Sequence, residues 1–148
     1  MNETVIQVTS LGKRIKGKTI LEEISFEINK GDCVALIGPN GAGKTVLMSC
    51  ILGDKKPSNG QVLIDGKAGK AKNKIAVLLQ ENTIPNSLKV EELIAFFQSI
   101  SDNPLTNQEV QELLQFKEDQ YQQFADKLSG GQRRLLAFVL CLIDKPKI

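Results

Sequence analysis

The stretch CVALIGPNGAGKT, residues 33–45, decides the fold. Residues 33–37 are all apolar, which is typical of a parallel strand that is buried on both faces. Residues 38–45 fit the pattern G-x-x-x-x-G-K-[ST], which joins a buried strand to a helix. Residues 44–52 are where that helix is expected. The sequence therefore predicts a strand, a glycine-rich loop and a helix in direct succession.

The predicted loop has the composition of a phosphate cradle. Glycines permit backbone angles that turn successive N–H groups inward, and the following helix adds unsatisfied N–H groups and a positive dipole end. Lys44 would reach the terminal phosphates of a nucleotide, and the Thr45 hydroxyl would hold magnesium. A glycine-rich turn that only caps a helix is the alternative, but it needs neither three glycines nor a Lys-Thr pair. The predicted binding residues are Gly38, Pro39, Asn40, Gly41, Ala42, Gly43, Lys44, Thr45 and Val46.

Around the loop, the hydrophobic pattern predicts strands first and helices later. Residues 5–8 and the alternating stretch 24–29 suit an antiparallel sheet with one solvated face. A short strand is expected at 61–64, and a second buried strand at 75–79 that ends at Gln80. Further on, apolar residues at helical spacing predict helices around 90–97 and 110–114, and another over 129–144 that Pro146 stops.

Composition sets limits on the class of protein. With 148 residues, 41% of them hydrophobic, and a net charge of +2, the chain suits one globular domain and gives no indication of nucleic-acid binding. The longest apolar run, 135–143, is far shorter than the roughly 20 residues that span a membrane. The N-terminus lacks a secretory signal, so a cytoplasmic location is expected. Cys33, Cys50 and Cys141 are expected to be free buried thiols, and the absence of histidine disfavours a zinc site.

A second motif, LSGGQ at residues 128–132, opens the last predicted helix. Its simplest interpretation is a capping box, in which Ser129 is the N-cap and Gln132 returns a hydrogen bond. Gly130 and Gly131 do not suit that role, because each glycine weakens a helix by roughly 1 kcal/mol. Glycines are expected here if the backbone itself must approach a ligand.

With LSGGQ unchanged, the phosphate loop before it and Gln80 between them, the chain resembles the nucleotide-binding domain of ABC ATPases over nearly its whole length. The resemblance implies an α/β fold. A P-loop NTPase (RecA-like) core would carry an N-terminal antiparallel β subdomain and an α-helical subdomain. Within a single domain 1–148, about 1–83 would form the β subdomain and P-loop core, 84–128 the helical subdomain, and 129–148 the signature helix.

The resemblance also implies a function, which is binding ATP with Mg²⁺ and using its hydrolysis to energise an ABC transporter. Lys44 and Gln80 would be catalytic, and Thr45 and Gln80 would serve the metal, although Gln80 could simply be a polar residue that ends a strand. A second ABC ATPase domain would pair head to tail. Its ATP would then meet the four signature residues Ser129, Gly130, Gly131 and Gln132.

The implied role places the chain on the inner face of the cell membrane through a separate permease. Residues 88–100 and 108–116 resemble exporter-type members. One alternative is an ABC ATPase that acts on ribosomes or DNA, but such relatives usually show tandem domains, coiled-coil insertions or basic arms. A nucleotide-binding module without catalysis is a further alternative.

The chain departs from the family pattern in three places. Ile15 lies where an aromatic residue usually stacks on adenine, which predicts weaker selection of that base. Val46 replaces a common second hydroxyl residue. After Ile148 the family continues into a strand ending in a metal-supporting Asp and a catalytic Glu, so the sequence is expected to be truncated. Slow hydrolysis, unpaired backbone in the strands at 33–37 and 75–79, and instability or pairing with another chain are the expected results.

Overall fold

The computed structural model describes residues 3–68, 75–79, 84–85 and 87–148. It divides the chain into two compact units, Met1–Lys72 and Asn73–Ile148. The first unit contains an antiparallel sheet and a helix, and the second is helical. The subdivision predicted near residues 83 and 84 lies further along the chain than this division, and a single domain 1–148 stays a prediction.

The first unit contains a four-stranded sheet with the order β2-β1-β3-β4. Each neighbouring pair is antiparallel. The predicted alternation is confirmed in the second strand, where Ile24, Phe26 and Ile28 are half-buried and Ser25 and Glu27 are exposed. The first strand extends well beyond the predicted 5–8. The strands are β1 Thr4–Ile15, β2 Lys18–Asn29, β3 Asn59–Ile64 and β4 Lys67–Ala68.

The β1–β2 hairpin contains a bulge close to its tip. Lys13 pairs with Leu21 and Arg14 pairs with Thr19, so Ile20 has no residue opposite it. The two turn residues, Lys16 and Gly17, have φ angles of 48° and 78°. Positive φ at both central residues is the geometry of the tight hairpin turn that suits the twist of antiparallel strands.

Helix α1, Lys44–Ile51, confirms the helix predicted after the glycine-rich loop. It buries Leu47, Cys50 and Ile51 and lies against β2. The sheet of the same unit buries its own apolar residues, Val5, Ile6, Val8, Leu11, Leu21 and Ile64. Burying these side chains is worth roughly 1.5–3 kcal/mol for each large one, which is what holds the helix to the hairpin.

The two predicted buried strands, 33–37 and 75–79, are wrong for this structure, because neither segment is assigned as a strand. Val34 is 60% exposed and Ile37 is 89% exposed. A strand requires a hydrogen-bonded neighbour. Among the described residues, the backbone of 33–37 has none, and 75–79 has a single backbone bond, from Ala76 N to Ile148 O at 2.8 Å. The backbone of 33–37 is therefore unpaired among the described residues, as the sequence predicted, and that of 75–79 is nearly so.

The second unit is built from short helices around one apolar core. Helix α2 spans Val90–Ser99, α3 Asn107–Leu114, α4 Glu118–Tyr121 and α5 Gly130–Leu142, with a 3₁₀ turn at Ala125–Lys127. Helix α4 and the 3₁₀ turn were not predicted. The core of this unit contains Val90, Leu93, Ile94, Val110, Leu114, Ala125, Leu128, Leu136, Val139, Leu140 and Ile143.

Two further expectations concern the cysteines, which were predicted to be free and buried, and the lack of a segment long enough to span a membrane. The three cysteines are free, but only Cys50 is buried, while Cys141 is half-buried and Cys33 is exposed. Cys33 was expected to be buried because it begins the stretch predicted as a core strand, and that strand does not form. None of the helices in the described part of the chain is long and apolar enough to span a membrane.

Candidate functional site

The N-terminus of α1 is left open to a ligand. Its N-cap, Gly43, has a left-handed backbone and supplies no side-chain hydrogen bond, and the first turn carries no acidic residue. Helices α2 and α3 differ, because each has a first-turn glutamate that accepts from the N-cap N–H, and α3 also has a side-chain cap from Thr106. Uncapped N–H groups at the positive end of a helix dipole attract an anion. The first turn of α1 therefore has the properties of an anion-binding site.

Two glycines of the loop are needed for different reasons. Gly41 and Gly43 have φ angles of 84° and 91°, which L side chains rarely adopt. A Cβ on Gly43 would lie 2.9 Å from Leu21 Cδ2 and 3.2 Å from Ile20 O, whereas a Cβ on Gly41 would meet nothing within 4 Å. Gly43 thus seats the loop directly on β2, at the bulge of the hairpin. Gly41 supplies only backbone freedom.

The Lys44 side chain folds back over its own loop. Its ammonium donates to the carbonyl oxygens of Gly38 and Pro39, at 2.7 Å in each case. The Ala42 N–H also donates to Pro39 O, at 3.3 Å, which closes the turn. The positive charge is therefore held at the loop by two neutral acceptors. An anionic oxygen that replaced them would form a stronger hydrogen bond, because both partners would then be charged.

The two residues that follow Lys44 differ in what they offer a ligand. Thr45 is exposed and Val46 is half-buried. A hydroxyl is an oxygen ligand of the kind that Mg²⁺ accepts, and valine offers no polar atom. Within the described residues no group of three or more acidic, histidine or cysteine side chains could hold a metal ion. Gln80, the other predicted metal and catalytic residue, lies outside the described residues.

Ile15 ends β1 at the hairpin tip, where it pairs with Lys18 across the turn. It is 36% exposed. The same hairpin seats Gly43, so the structure brings Ile15 and the glycine-rich loop onto one hairpin-and-helix assembly. A role for Ile15 beside the base of a nucleotide stays a prediction.

In the second unit, residues 129–132 form the capping box that the sequence predicted. Ser129 Oγ accepts from Gln132 N at 3.2 Å, and Ser129 N donates to Gln132 Oε1 at 3.0 Å. Gly130 and Gly131 are exposed, and a Cβ on either would meet nothing within 4 Å. Neither backbone has a positive φ. Nothing in the described part of the chain requires glycine at these two positions.

Sequence reasoning missed the residues that support the site. Ile20 and Leu21 form the seat of Gly43, and Arg133 donates from Nη2 to Asp126 O at 2.7 Å, which ties the start of α5 to the preceding 3₁₀ turn. Both are tertiary contacts between segments, and no local pattern signals them. The bulge at Ile20 likewise has no clear signature in the sequence.

The curated relatives are ATP-binding subunits of importers. The chain is 34% identical to the methionine import ATP-binding protein MetN of Legionella pneumophila (strain Paris), over 97% of this chain and 46% of that protein. It is 33% identical to the spermidine/putrescine import ATP-binding protein PotA of Protochlamydia amoebophila, over 93% of this chain and 39% of that protein. The petrobactin import ATP-binding protein YclP of Bacillus subtilis is also 33% identical, over 92% and 60%. The chain thus spans about half the length of these relatives.

Solved structures show the same fold. The ADP conformation of MJ1267, an ATP-binding cassette of an ABC transporter, matches with a TM-score of 0.80 and 24% identity, over 97% of this chain and 66% of that one. The structure of cbiO1 from Clostridium perfringens, part of the ABC transporter complex cbiONQ, matches with a TM-score of 0.82 and 23% identity, over 97% and 63%. The family model described as ABC transporter matches residues 21–148. With that match covering most of its length, the chain belongs to the ABC transporter family, as an ATP-binding domain.

Proposed function

We propose that the chain binds the triphosphate of ATP at the loop of residues 38–45. The observation that carries this proposal is the uncapped first turn of α1 next to a lysine ammonium that is held by two neutral carbonyl oxygens. The phosphate chain would accept hydrogen bonds from the N–H groups of that turn. Lys44 would exchange its bonds to the neutral Gly38 O and Pro39 O for a stronger bond to a negatively charged phosphate oxygen.

Magnesium fits this site through the exposed hydroxyl of Thr45. When bound, the ion neutralises the charge that builds up on the phosphates during their transfer. Gln80 is proposed to support the metal and the attacking water on the basis of the family resemblance alone. The Val46 side chain cannot contribute a hydrogen bond, which leaves Lys44 and the backbone amides as the groups that would bind phosphate.

Calorimetric titration of Mg-ATP into the chain tests this function. We expect Lys44→Ala to weaken binding about ten-fold or more, because a hydrogen bond to a charged group is worth roughly 1.5–3 kcal/mol. Lys55→Ala is the control, since that lysine is exposed beyond the other end of α1. Equal affinities for the wild type and the Lys44 variant, or no heat of binding from the wild type, would refute the proposal.

We also propose that the signature residues Ser129, Gly130, Gly131 and Gln132 contact ATP held by a second ABC ATPase domain. The open space around Gly130 and Gly131, with no internal need for glycine, supports this. A close approach of backbone N–H groups to a phosphate requires that no side chain intervene. The partner would be a second copy or a close relative, paired head to tail.

Light scattering with Mg-ATP tests the pairing. Gly131→Asp introduces a negative charge into open space in the first turn of α5, where an acidic residue favours the helix. We expect this variant to bind ATP as the wild type does and to remain monomeric where the wild type dimerises. Gly131→Asn is the matched neutral control and should weaken dimerisation less. Dimers of equal strength from the Asp and Asn variants would contradict a phosphate contact.

The biological role that we propose is to energise transport through a separate membrane permease by ATP hydrolysis, with the chain bound to the cytoplasmic face of the membrane. The relatives named above are import proteins, which favours import; the exporter-type prediction from residues 88–100 and 108–116 receives no support from those names. Their cargoes differ, so no cargo is proposed. Proteoliposomes carrying the domain with its permease would decide the direction: in import, ATP supplied on the side of the domain accumulates cargo on that same side.

A further inference from the structure

A cavity of about 350 Å³ lies in the first unit, at the C-terminal end of α1. Its apolar lining comes from Cys50 and Ile51 of the helix, Val62 of β3 and Ala68 of β4. An apolar lining and a volume of this size are usual for small-molecule sites. None of the described residues of the phosphate loop, 38–45, lines it. The cavity is therefore separate from the proposed nucleotide site.

The loop between α1 and β3, which forms part of the cavity wall, is held in place by hydrogen bonds. The Lys55 N–H donates to Ser49 O at 3.0 Å, which connects the loop to α1. The ammonium of Lys13 donates to Lys56 O at 2.6 Å, which connects the loop to β1. The cavity is thus formed without a ligand, as small-molecule sites largely are.

Positive charge is concentrated at this cavity. Lys55 and Lys56 both line it, and both are exposed. Among the described residues that line it none is acidic, and Asp54, which precedes Lys55, is not one of them. Burial raises the pKa of the Cys50 thiol, and the positive charges of Lys13 and Lys55 act against that rise, so their field reaches the apolar lining. Such a cavity is complementary to an anion that carries an apolar group.

We propose that this cavity binds a small amphipathic carboxylate, a molecule with one carboxylate and an apolar body. The body would cover Ile51, Val62 and Ala68, and the carboxylate would lie beside the ammonium groups of Lys55 and Lys56. Burial of the apolar body would supply most of the affinity, because ion pairs that stay exposed contribute little. The lysines would select an anion over a neutral molecule of the same shape.

An NMR titration of the intact chain with octanoate tests the proposal. We expect the methyl signals of Ile51, Val62 and Ala68 to shift. Hexanoate, which is two methylene groups shorter, should bind roughly tenfold more weakly, because less apolar surface leaves water. Octanamide keeps the apolar body without the charge, and it should bind about threefold more weakly than octanoate. Added salt should reduce the difference between octanoate and octanamide, because it screens exposed charges.

Two variants separate the roles of charge and space. Replacing Lys55 and Lys56 together by methionine keeps the apolar stems, and it should weaken octanoate binding about threefold while leaving octanamide binding unchanged. The matched control replaces Lys16 and Lys30 by methionine, which removes two charges from exposed lysines that do not line the cavity. Ala68→Leu fills part of the cavity from an exposed position, so it should weaken octanoate and octanamide alike. Thermal melts would confirm that the variants are folded.

Shifts confined to the lining methyl groups, with octanoate preferred to octanamide and weakened only in the Lys55 and Lys56 variant, support the proposal. The absence of octanoate binding, equal affinities for octanoate and octanamide, or an equal loss in the control variant would overturn it. Shifts confined to Ala42, Thr45 and Val46 would also overturn it, because they would place the carboxylate at the phosphate loop. Mg-ATP should not displace octanoate, and a wild type that binds octanoate but no Mg-ATP would refute only the proposed function.

Discussion

Replacing Gly43 by alanine should cost the first unit more stability than any other single methyl group added to the phosphate loop. At φ 91° an alanine is strained by about 1–3 kcal/mol. Its Cβ would also lie 2.9 Å from Leu21 Cδ2, 3.2 Å from Ile20 O and 3.3 Å from Ile20 Cγ2. The Leu21 methyl can move, but the Ile20 carbonyl belongs to the sheet backbone. Overpacking of this kind adds about 1–3 kcal/mol, so we expect a total loss of about 2–6 kcal/mol.

Gly41→Ala is the matched control. Its φ angle of 84° gives nearly the same backbone strain, but its Cβ meets nothing within 4 Å. The difference between the two variants therefore isolates the contact with β2, and we expect Gly43→Ala to be the less stable by about 1–3 kcal/mol. Urea unfolding followed by far-ultraviolet circular dichroism measures both, and the chain has no tryptophan that would offer a fluorescence alternative.

Equal midpoints for the two variants would refute the reasoning, because they would show that the loop is not seated on Ile20 and Leu21. A second readout separates seating from strain. If the hairpin positions the loop for phosphate, Mg-ATP affinity should fall further for Gly43→Ala than for Gly41→Ala. A larger loss of affinity for Gly41→Ala than for Gly43→Ala would show that phosphate binding depends on Gly41 rather than on the contact between Gly43 and β2.

Three further outcomes are expected. Ser129→Ala removes the N-cap of α5 and should destabilise the second unit by about 1 kcal/mol in urea melts. Thr106→Ala removes the N-cap of α3 and should have an effect of the same size. No loss of stability from either variant would show that the capping boxes do not contribute. Gly131→Ala should instead raise stability by about 0.5–1 kcal/mol, since its Cβ enters open space; a loss would reveal a contact inside the chain. Hydrogen bonds from the Thr106 backbone and then from Lys145 lower the pKa of the Glu109 carboxyl, so its contribution to stability is fully present above the ordinary carboxyl pKa and is lost as pH falls through the lowered value. Glu109→Gln should therefore flatten the fall of the urea midpoint in acid, and an unchanged pH profile would contradict this.

Local signals in the sequence predicted the local structure well. Three such predictions are confirmed: the alternation at 24–29, the helix after Lys44, and the capping box of Ser129 and Gln132. Each of them depends only on residues that are close together in the sequence. The apolar runs 33–37 and 75–79 were wrong as strands for a physical reason. Their composition indicates a tendency to be buried, but a strand also needs a hydrogen-bonded neighbour along its length. The described residues supply none to 33–37 and only one backbone bond to 75–79.

The sequence predicted which residues of the candidate site would contact a phosphate, but not which residues hold that site in place. Spacing alone identified the loop glycines, Lys44 and Thr45, because the pattern specifies which atoms face a phosphate. It could not show that Gly43 rests on the bulge at Ile20, or that Lys13 lies opposite Leu21. Those facts depend on the register of the hairpin, and a shift of one residue would have turned the same side chains to the opposite face.

Because the backbone of residues 33–37 is unpaired, the phosphate loop is held in place at only one of its two ends. Its C-terminal end is fixed by α1 and by the seat of Gly43, while its N-terminal end lacks ladder bonds in the described structure. Fixing the backbone of one residue costs roughly 1–2 kcal/mol, so a ligand that must order this segment loses that amount of binding free energy for each residue that it orders. Any neighbouring strand that pairs with 33–37 would spare the ligand that cost. Pairing of a neighbouring strand with 33–37 and binding of nucleotide would then be thermodynamically linked, even if the strand and the nucleotide do not touch.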